Sequence, residues 1–302
     1  MRIGLLGTGP WARLTHGPAL REHPETELVG VWGRRPEAAG ELAGRLDTRA
    51  YEDPEALFAD CEAVAFALPP DVQAPLAARA AAAGCHLLLD KPVATSVPAA
   101  RELAAAVTSA GVASVVFFTL RFAPETAAWV AAQSGTEGWV TGRADWYSPV
   151  FGGSDSAYAA SPWRRERGAL WDVGPHALSL LLPPLGEVAA VTAARGPGDM
   201  VHVALRHASG ASSTMTLTHS VPPQASSVTA ELRGSAGITT LPERGEGGPV
   251  RPLMRALDAL LAAARKGERH PCDIHFGVRV TEILATAERA LASGATTPAA
   301  SA

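Results

Sequence analysis

The chain is poor in several features that would assign it to a class at once. No apolar run approaches the ~18 residues that a bilayer-spanning helix needs. Met1 to Gly7 is too short an apolar segment for a secretory leader, so the mature chain is expected to begin at Met1. Cys61, Cys85 and Cys272 are odd in number and show no CxxC spacing. That argues against a disulfide framework and points to a reducing, cytoplasmic compartment. Lysine and arginine form no long cluster, and a net charge of −4 offers no broad attraction to phosphate backbones or anionic membranes. Nucleic acid and membrane are therefore not expected as partners. His270-Pro271-Cys272-Asp273-Ile274-His275 holds three possible metal donors. Their spacing matches no common zinc pattern and Asp273 is explained as a helix cap, so no metal is expected.

What is present suits two globular domains in 302 residues. Arg2 to Leu6 is a short apolar run followed by Gly7-Thr8-Gly9-Pro10-Trp11-Ala12, with GxGxxA spacing. The first glycine permits a tight turn, the second lets backbone approach a pyrophosphate, and Ala12 allows close helix-to-strand packing; Pro10 suits a first helical position. A second strand is expected at Glu27 to Trp32, one helix length later. Its end reads Gly33-Arg34-Arg35-Pro36, with no carboxylate to hold a ribose 2′-hydroxyl and two guanidiniums able to grip a 2′-phosphate. NADP is expected over NAD, with use of both open and solvated arginines as the alternative.

Strand-like and helix-like segments then alternate: Ala63 to Leu68, a helix near 71–83, His86 to Leu89, a helix near 97–110, and Ala113 to Phe118. Short, non-alternating apolar strands between helices predict a parallel sheet covered on both faces. Leu68-Pro69 with Gln73 beyond it, and Asp90-Lys91-Pro92, follow strands at the carboxyl edge along which such sheets bind ligands. Arg121 opens the segment where the pattern changes. Beyond it, strand-like stretches at Trp139 to Tyr147, Val188 to Ala194, Val201 to Arg206, Ser213 to His219 and Val228 to Leu232 predict a mostly antiparallel sheet. Its second face, with Thr214, Thr216 and Thr218, suits either solvent or a subunit interface. The expected fold class is α/β: an N-terminal Rossmann domain, a doubly wound parallel sheet, over 1–120, and a C-terminal α+β domain with an open sheet over 121–302.

Between Tyr147 and Trp163 the chain is too rich in glycine and serine for a regular element, and a flexible loop that could cover a ligand is expected. Trp163-Arg164-Arg165 follows, where an arginine could meet a phosphate or carboxylate. Gly168 to Leu182 then reads GALWDVGPHALSLLL. If helical, it sets Asp172 and His176 four residues apart on one face. Pro175 restricts the pair to a helix entrance. A carboxylate beside an imidazole can handle a proton; equally, Asp172 can be an N-cap and His176 a packed core residue.

GTGPWA, DKP at Asp90 to Pro92, RFAP at Arg121 and WDVGPHAL, in this order, resemble the motifs of the Gfo/Idh/MocA oxidoreductase family. The resemblance runs along nearly the whole chain. Departures from its pattern are Asp90 for the usual Glu, Gln73 where a His often follows the Pro-Pro turn, and a single Gly168 for a glycine run. The resemblance implies Lys91, Asp172 and His176 as catalytic residues around nicotinamide and the reacting carbon. His176 would exchange the hydroxyl proton, Lys91 would stabilise charge on the same oxygen, and Asp172 would orient substrate or its basic neighbours. Gly7 to Ala12, Gly33 to Arg35, Leu68, Pro69, Gln73, Asp90, Lys91, Arg121, Trp163 and Arg164 would line the cofactor. A sugar, sugar derivative or cyclic polyol is the implied substrate, and a homodimer or homotetramer through the C-terminal sheet the implied assembly. A non-catalytic nucleotide-sensing protein and redox-neutral, cofactor-assisted glycoside cleavage remain as rivals; a methyltransferase leaves DKP and DxGxH without a role.

Overall fold

Short apolar strands separated by single helices build the first half of the chain. The computed structural model describes residues 1–153, 156–243, 245 and 247–293. Strands β1 (Arg2–Leu6), β2 (Glu27–Trp32), β3 (Arg49–Tyr51), β4 (Ala63–Phe66), β5 (His86–Asp90) and β6 (Ser114–Phe117) form one parallel sheet in the order β3-β2-β1-β4-β5-β6. All four residues of β4 and of β6 are buried, as a sheet covered on both faces requires. Helices α1 (Gly17–Glu22), α2 (Pro36–Arg45), α3 (Pro54–Asp60), α4 (Pro70–Ala82) and α5 (Val97–Ala110) connect them. The order reverses between β1 and β4, the point at which doubly wound sheets open a crevice at their carboxyl ends. β3 and α3 go beyond the expected elements, and a cap marks α3: the Asp53 carboxylate accepts from Ala56 N at 3.2 Å and Pro54 takes the first helical turn.

After α6 (Pro124–Ser134) the strands alternate. β7 (Trp139–Tyr147), β8 (Val188–Arg195), β9 (Val201–His207), β10 (Ser212–Thr218), β11 (Ser227–Gly234) and β12 (Gly237–Thr240) make a second sheet in the order β12-β11-β7-β10-β9-β8. Its pairs are antiparallel except β7 with β10. On β9 the pattern is strict: Val201, Val203 and Leu205 are buried while His202, Ala204 and Arg206 are exposed. Helices α7 (Pro162–Asp172) and α8 (Gly174–Leu185) belong with this sheet. A Cβ at Gly142 of β7 would come within 3.0 Å of Leu181 and Leu185 of α8, so the glycine lets the helix seat closely. α9 (Val250–Lys266) and α10 (Ile274–Ser293) close the chain. Asp273 does cap α10, its Oδ1 accepting from His275 N at 2.9 Å and Phe276 N at 3.0 Å.

The described residues fall into two compact units. Described residues of Met1–Pro124 and Arg244–Thr281 form one unit, and those of Glu125–Glu243 and Glu282–Ala302 the other. The physical reason is packing: Val116 N donates to Cys272 O at 2.7 Å, Phe118 meets Phe276 edge-on at 5.4 Å, and a Cβ on Gly277 would fall 2.6 Å from Val93. Among the described residues, no helix is long and apolar enough to cross a membrane.

Candidate active site

In the first unit, the turn after β1 is set by Gly7. Its φ is +129°, and a Cβ there would lie 2.3 Å from Ala67 O, so both the backbone and the approach of the β4 end demand glycine. Gly7 N donates to Trp32 O at 2.9 Å, tying this turn to β2. Thr8 lies against Gly33, whose Cβ would be 2.6 Å from the Thr8 methyl. Gly9 differs: a Cβ there meets nothing within 4 Å, so no protein group explains the glycine. Open space before a bare backbone at the carboxyl edge of β1 is what a pyrophosphate requires.

Pro10, Trp11 and Ala12 enter a helical segment that passes through a π-helical turn at Ala12–His16. Gly17 N reaches back to Ala12 O, and Pro18 has no N–H with which to resume the regular ladder. Arg13 Nε donates to Thr8 O at 3.0 Å and holds the turn from behind. Arg34 and Arg35 follow β2 with exposed side chains, and neither forms an ion pair among the described residues. Leu68 and Pro69 follow β4 at the same edge, Pro69 leading into α4.

Lys91 sits beyond β5, where the Lys91–Pro92 peptide is cis. The loop is held by Gln73 of α4, which is 0% exposed. Gln73 Oε1 accepts from Asp90 N at 2.8 Å, and its Nε2 donates to Asp90 O at 2.9 Å and towards Pro92 O and Val93 O at 3.3 Å. Its amide thus holds the backbone that presents Lys91. The Asp90 side chain also turns inward, its Oδ1 accepting from Lys91 N at 2.8 Å. Arg121 lies in a 3-10 turn at Thr119–Phe122; burial, with the Arg121 charge adding to it, holds the His270 imidazole below its ordinary pKa.

In the second unit, Asp172 and His176 do not share one helix. Asp172 ends α7, Val173 intervenes, and His176 lies in the first turn of α8. Pro175 cannot donate to the carbonyl of Trp171, four residues back, so the backbone bond that would carry α7 on into α8 is missing there. The N-cap position of α8 is Val173, which corrects the capping alternative for Asp172. Gly174 is required by packing: its Cβ would lie 2.9 Å from Leu284 and 3.3 Å from Leu217. Asp172 and His176 are each 6% exposed. The His176 ring stacks on Trp146 of β7 at 5.0 Å and 18°.

Asp172 is surrounded by cations and potential cations. Arg164 Nε donates to its Oδ2 at 2.8 Å, and His219 Nε2 lies 3.1 Å from the same oxygen. The guanidinium of Arg164 lies over the rings of Tyr158 and Trp163, each at 4.9 Å. The carboxylate that the sequence placed within an arginine's reach is therefore Asp172 itself. Trp146, Tyr158 and His219 are outside the motifs, and only the fold brings them to this corner. In the expected loop, residues 154 and 155 lie outside the described residues; Phe151 N donates to His219 O at 2.8 Å, and Gly152 fits where a Cβ would strike Val221 O.

A model of an oxidoreductase family with an NAD-binding Rossmann fold matches residues 1–118, and the model of the GFO/IDH/MocA C-terminal domain matches residues 135–240. The chain belongs to the Gfo/Idh/MocA oxidoreductase family. Among curated proteins, it is similar to the UDP-N-acetylglucosamine 3-dehydrogenase of Acidithiobacillus ferrooxidans, 34% identical over 92 residues, covering 30% of this chain and 28% of that enzyme. It is similar also to the dTDP-3,4-didehydro-2,6-dideoxy-alpha-D-glucose 3-reductase of Saccharopolyspora spinosa, 35% identical over 98 residues, covering 32% of this chain and 30% of that enzyme. The match thus spans less than a third of either relative. Among solved structures, GenD2 from gentamicin A biosynthesis in complex with NAD superposes with a TM-score of 0.84 at 23% identity, covering 97% of this chain and 95% of that one. That likeness is one of fold.

Proposed function

We propose that the chain is an NADP(H)-dependent oxidoreductase that moves a hydride between nicotinamide and a hydroxyl or carbonyl carbon of a sugar, sugar derivative or cyclic polyol. The observation that carries the cofactor half is the unfilled space before Gly9, at the edge where Gly7 forces the turn. The sugar half rests on the names of the relatives, a nucleotide-sugar dehydrogenase and a nucleotide-sugar reductase. Lys91, Asp172 and His176 are the proposed catalytic residues. A neutral imidazole takes up a proton near neutral pH, whereas an ordinary lysine does not, so His176 is assigned the hydroxyl proton. The nicotinamide, when bound, supplies the hydride chemistry. The residue types fit that group: a glycine turn for the pyrophosphate, and two exposed arginines for a 2′-phosphate.

Single-turnover mixing of the protein and NADPH with a panel of keto-hexoses, nucleotide-linked hexoses and cyclic ketones tests the reading, with NADP+ and the matching alcohols for the reverse direction. Loss of NADPH absorbance is expected with at least one compound. No turnover in either direction favours the sensor, and product formed at constant NADPH favours redox-neutral cleavage. For the cofactor, NADPH should raise Tm more than NADH at equal concentration, because only NADPH carries a group for Arg34 and Arg35. Equal shifts would sink the arginine argument. The open face of the second sheet, with Thr214, Arg206 and Arg143 exposed, is assigned to self-association. Light scattering should return a dimer or tetramer mass, and a monomer overturns this assignment. A cytoplasmic location belongs to the same reading.

A further inference from the structure

His219 has no role in the reading above, yet the second unit is built tightly around it. It follows β10 directly and is 1% exposed. Its backbone N–H donates to both Asp199 carboxylate oxygens, at 3.0 and 3.1 Å, and Thr218 Oγ1 and Ser220 Oγ donate to Asp199 Oδ1 at 2.7 and 2.8 Å. Ser148 Oγ lies 3.0 Å from ring Nδ1, and Phe151 packs edge-on at 5.6 Å. Backbone and ring are thereby fixed from three segments: the end of β7, the β8–β9 turn and β10 itself. The remaining nitrogen, Nε2, makes no aligned hydrogen bond among the described residues, although it stands 3.1 Å from Asp172 Oδ2. Burying an imidazole nitrogen without an aligned partner is costly. The geometry accounts for that cost only through the carboxylate it faces.

We propose that His219 is a positioning residue for Asp172. Arg164 approaches Oδ2 from α7 itself and His219 approaches the same oxygen from β10, so the carboxylate is held between two elements and cannot rotate away. Arg164 alone fixes the carboxylate from one side only, from the turn before the kink at Gly168. Gly168, with φ +64° and ψ −168°, breaks that helix between the two residues and leaves Asp172 on a short turn that needs an outside anchor. His219 supplies the anchor.

The inference rests on the oxidoreductase reading, and the experiment separates the two. His219→Leu fills the volume without a ring nitrogen, and His219→Gln offers an amide N–H at the reach of Nε2. With the substrate identified in the panel, His219→Leu is expected to lower kcat by about 10- to 100-fold with little change in KM for NADPH, the range for a misplaced reacting group. His219→Gln should recover most of that loss, which a merely space-filling role would not produce. His219→Leu at the parental kcat overturns the proposal. His176→Ala is measured alongside: a parental rate there sinks the oxidoreductase reading, whereas an inactive His176→Ala beside a parental His219→Leu sinks only the present inference. Proton NMR of the ring N–H resonances needs no substrate and covers a variant that folds poorly or a panel without turnover. The resonance lost in His219→Gln should shift in Asp172→Asn, and one indifferent to Asp172→Asn overturns the proposal.

Discussion

Replacing His176 by alanine is expected to abolish turnover while leaving NADPH binding intact. A positioned acid or base is worth about 10²- to 10⁴-fold in rate, and Gly7, Gly9, Gly33, Arg34 and Arg35, assigned to the cofactor, belong to a different compact unit from His176. Binding, read by quenching or by the Tm shift with NADPH, should therefore match the parent. Alanine also removes a ring that stacks on Trp146 at 5.0 Å, and the hole is expected to cost about 1–3 kcal/mol of stability. His176→Phe controls for this: it keeps an aromatic ring against Trp146 but carries no proton. Both variants should be inactive. Activity retained in His176→Phe would show that the proton leaves by another group.

Much of this architecture was legible because it is periodic. The short, non-alternating runs of β4 and β6, apolar but for Ser114, mark covered strands, and the alternation along β9 marks a half-covered one. The three-residue β3 and four-residue β12 are too short to carry a period. Leu253, Leu257, Leu260 and Leu261 recur at helical spacing in α9, but amphipathicity states that one face is buried and not against which sheet, so its return to the first unit needed the structure. At the site, spacing brought Asp172 and His176 forward, and Pro175 showed that a helix must begin there. The complete break at Val173 was not legible, because a proline in the first turn is compatible with a continuous helix face just after it. His219 and Trp146 were invisible for a plainer reason. Each is one residue on or at the end of an ordinary strand, and its meeting with Asp172 or His176 is decided by strand order, which local sequence does not encode. Gln73 is intermediate: its position after the Pro-Pro turn was noticed, but its bonds to both sides of Lys91 follow from the sheet placing β4 beside β5.

Acidification should weaken the first unit through His16, and His16→Leu should remove that part of the effect. His16 is 0% exposed, and neither ring nitrogen has an aligned hydrogen-bond partner among the described residues. It closes the π-helical turn and faces Trp11 and Phe117 edge-on, at 6.0 and 6.2 Å. Burial disfavours the imidazolium and pushes its pKa down to about 4, with the nearby backbone of Trp11 and Phe66 opposing only in part. In the unfolded chain the same ring titrates near 6.5. Above that pH both states are neutral and the stability is complete. As pH falls from 6.5 towards 4 the unfolded chain takes up a proton that the folded chain refuses, so stability drops, by about 3 kcal/mol at the lower limit. Below about 4 both states are charged and the loss from this group ends. His86 and His270 of the same unit are also held below their ordinary values by burial, so the parent should lose stability by more than the His16 share alone. Urea unfolding at several pH values between 7 and 4 measures the effect. His16→Leu should flatten the curve over this window while staying close to the parent at pH 7, because an apolar group of similar size replaces two unpaired nitrogens. His16→Gln, which keeps polarity without titrating, should flatten it as well. A pH dependence in both variants as steep as the parent's would mean that His16 already finds acceptors in the folded chain, with the acid sensitivity arising at the other histidines.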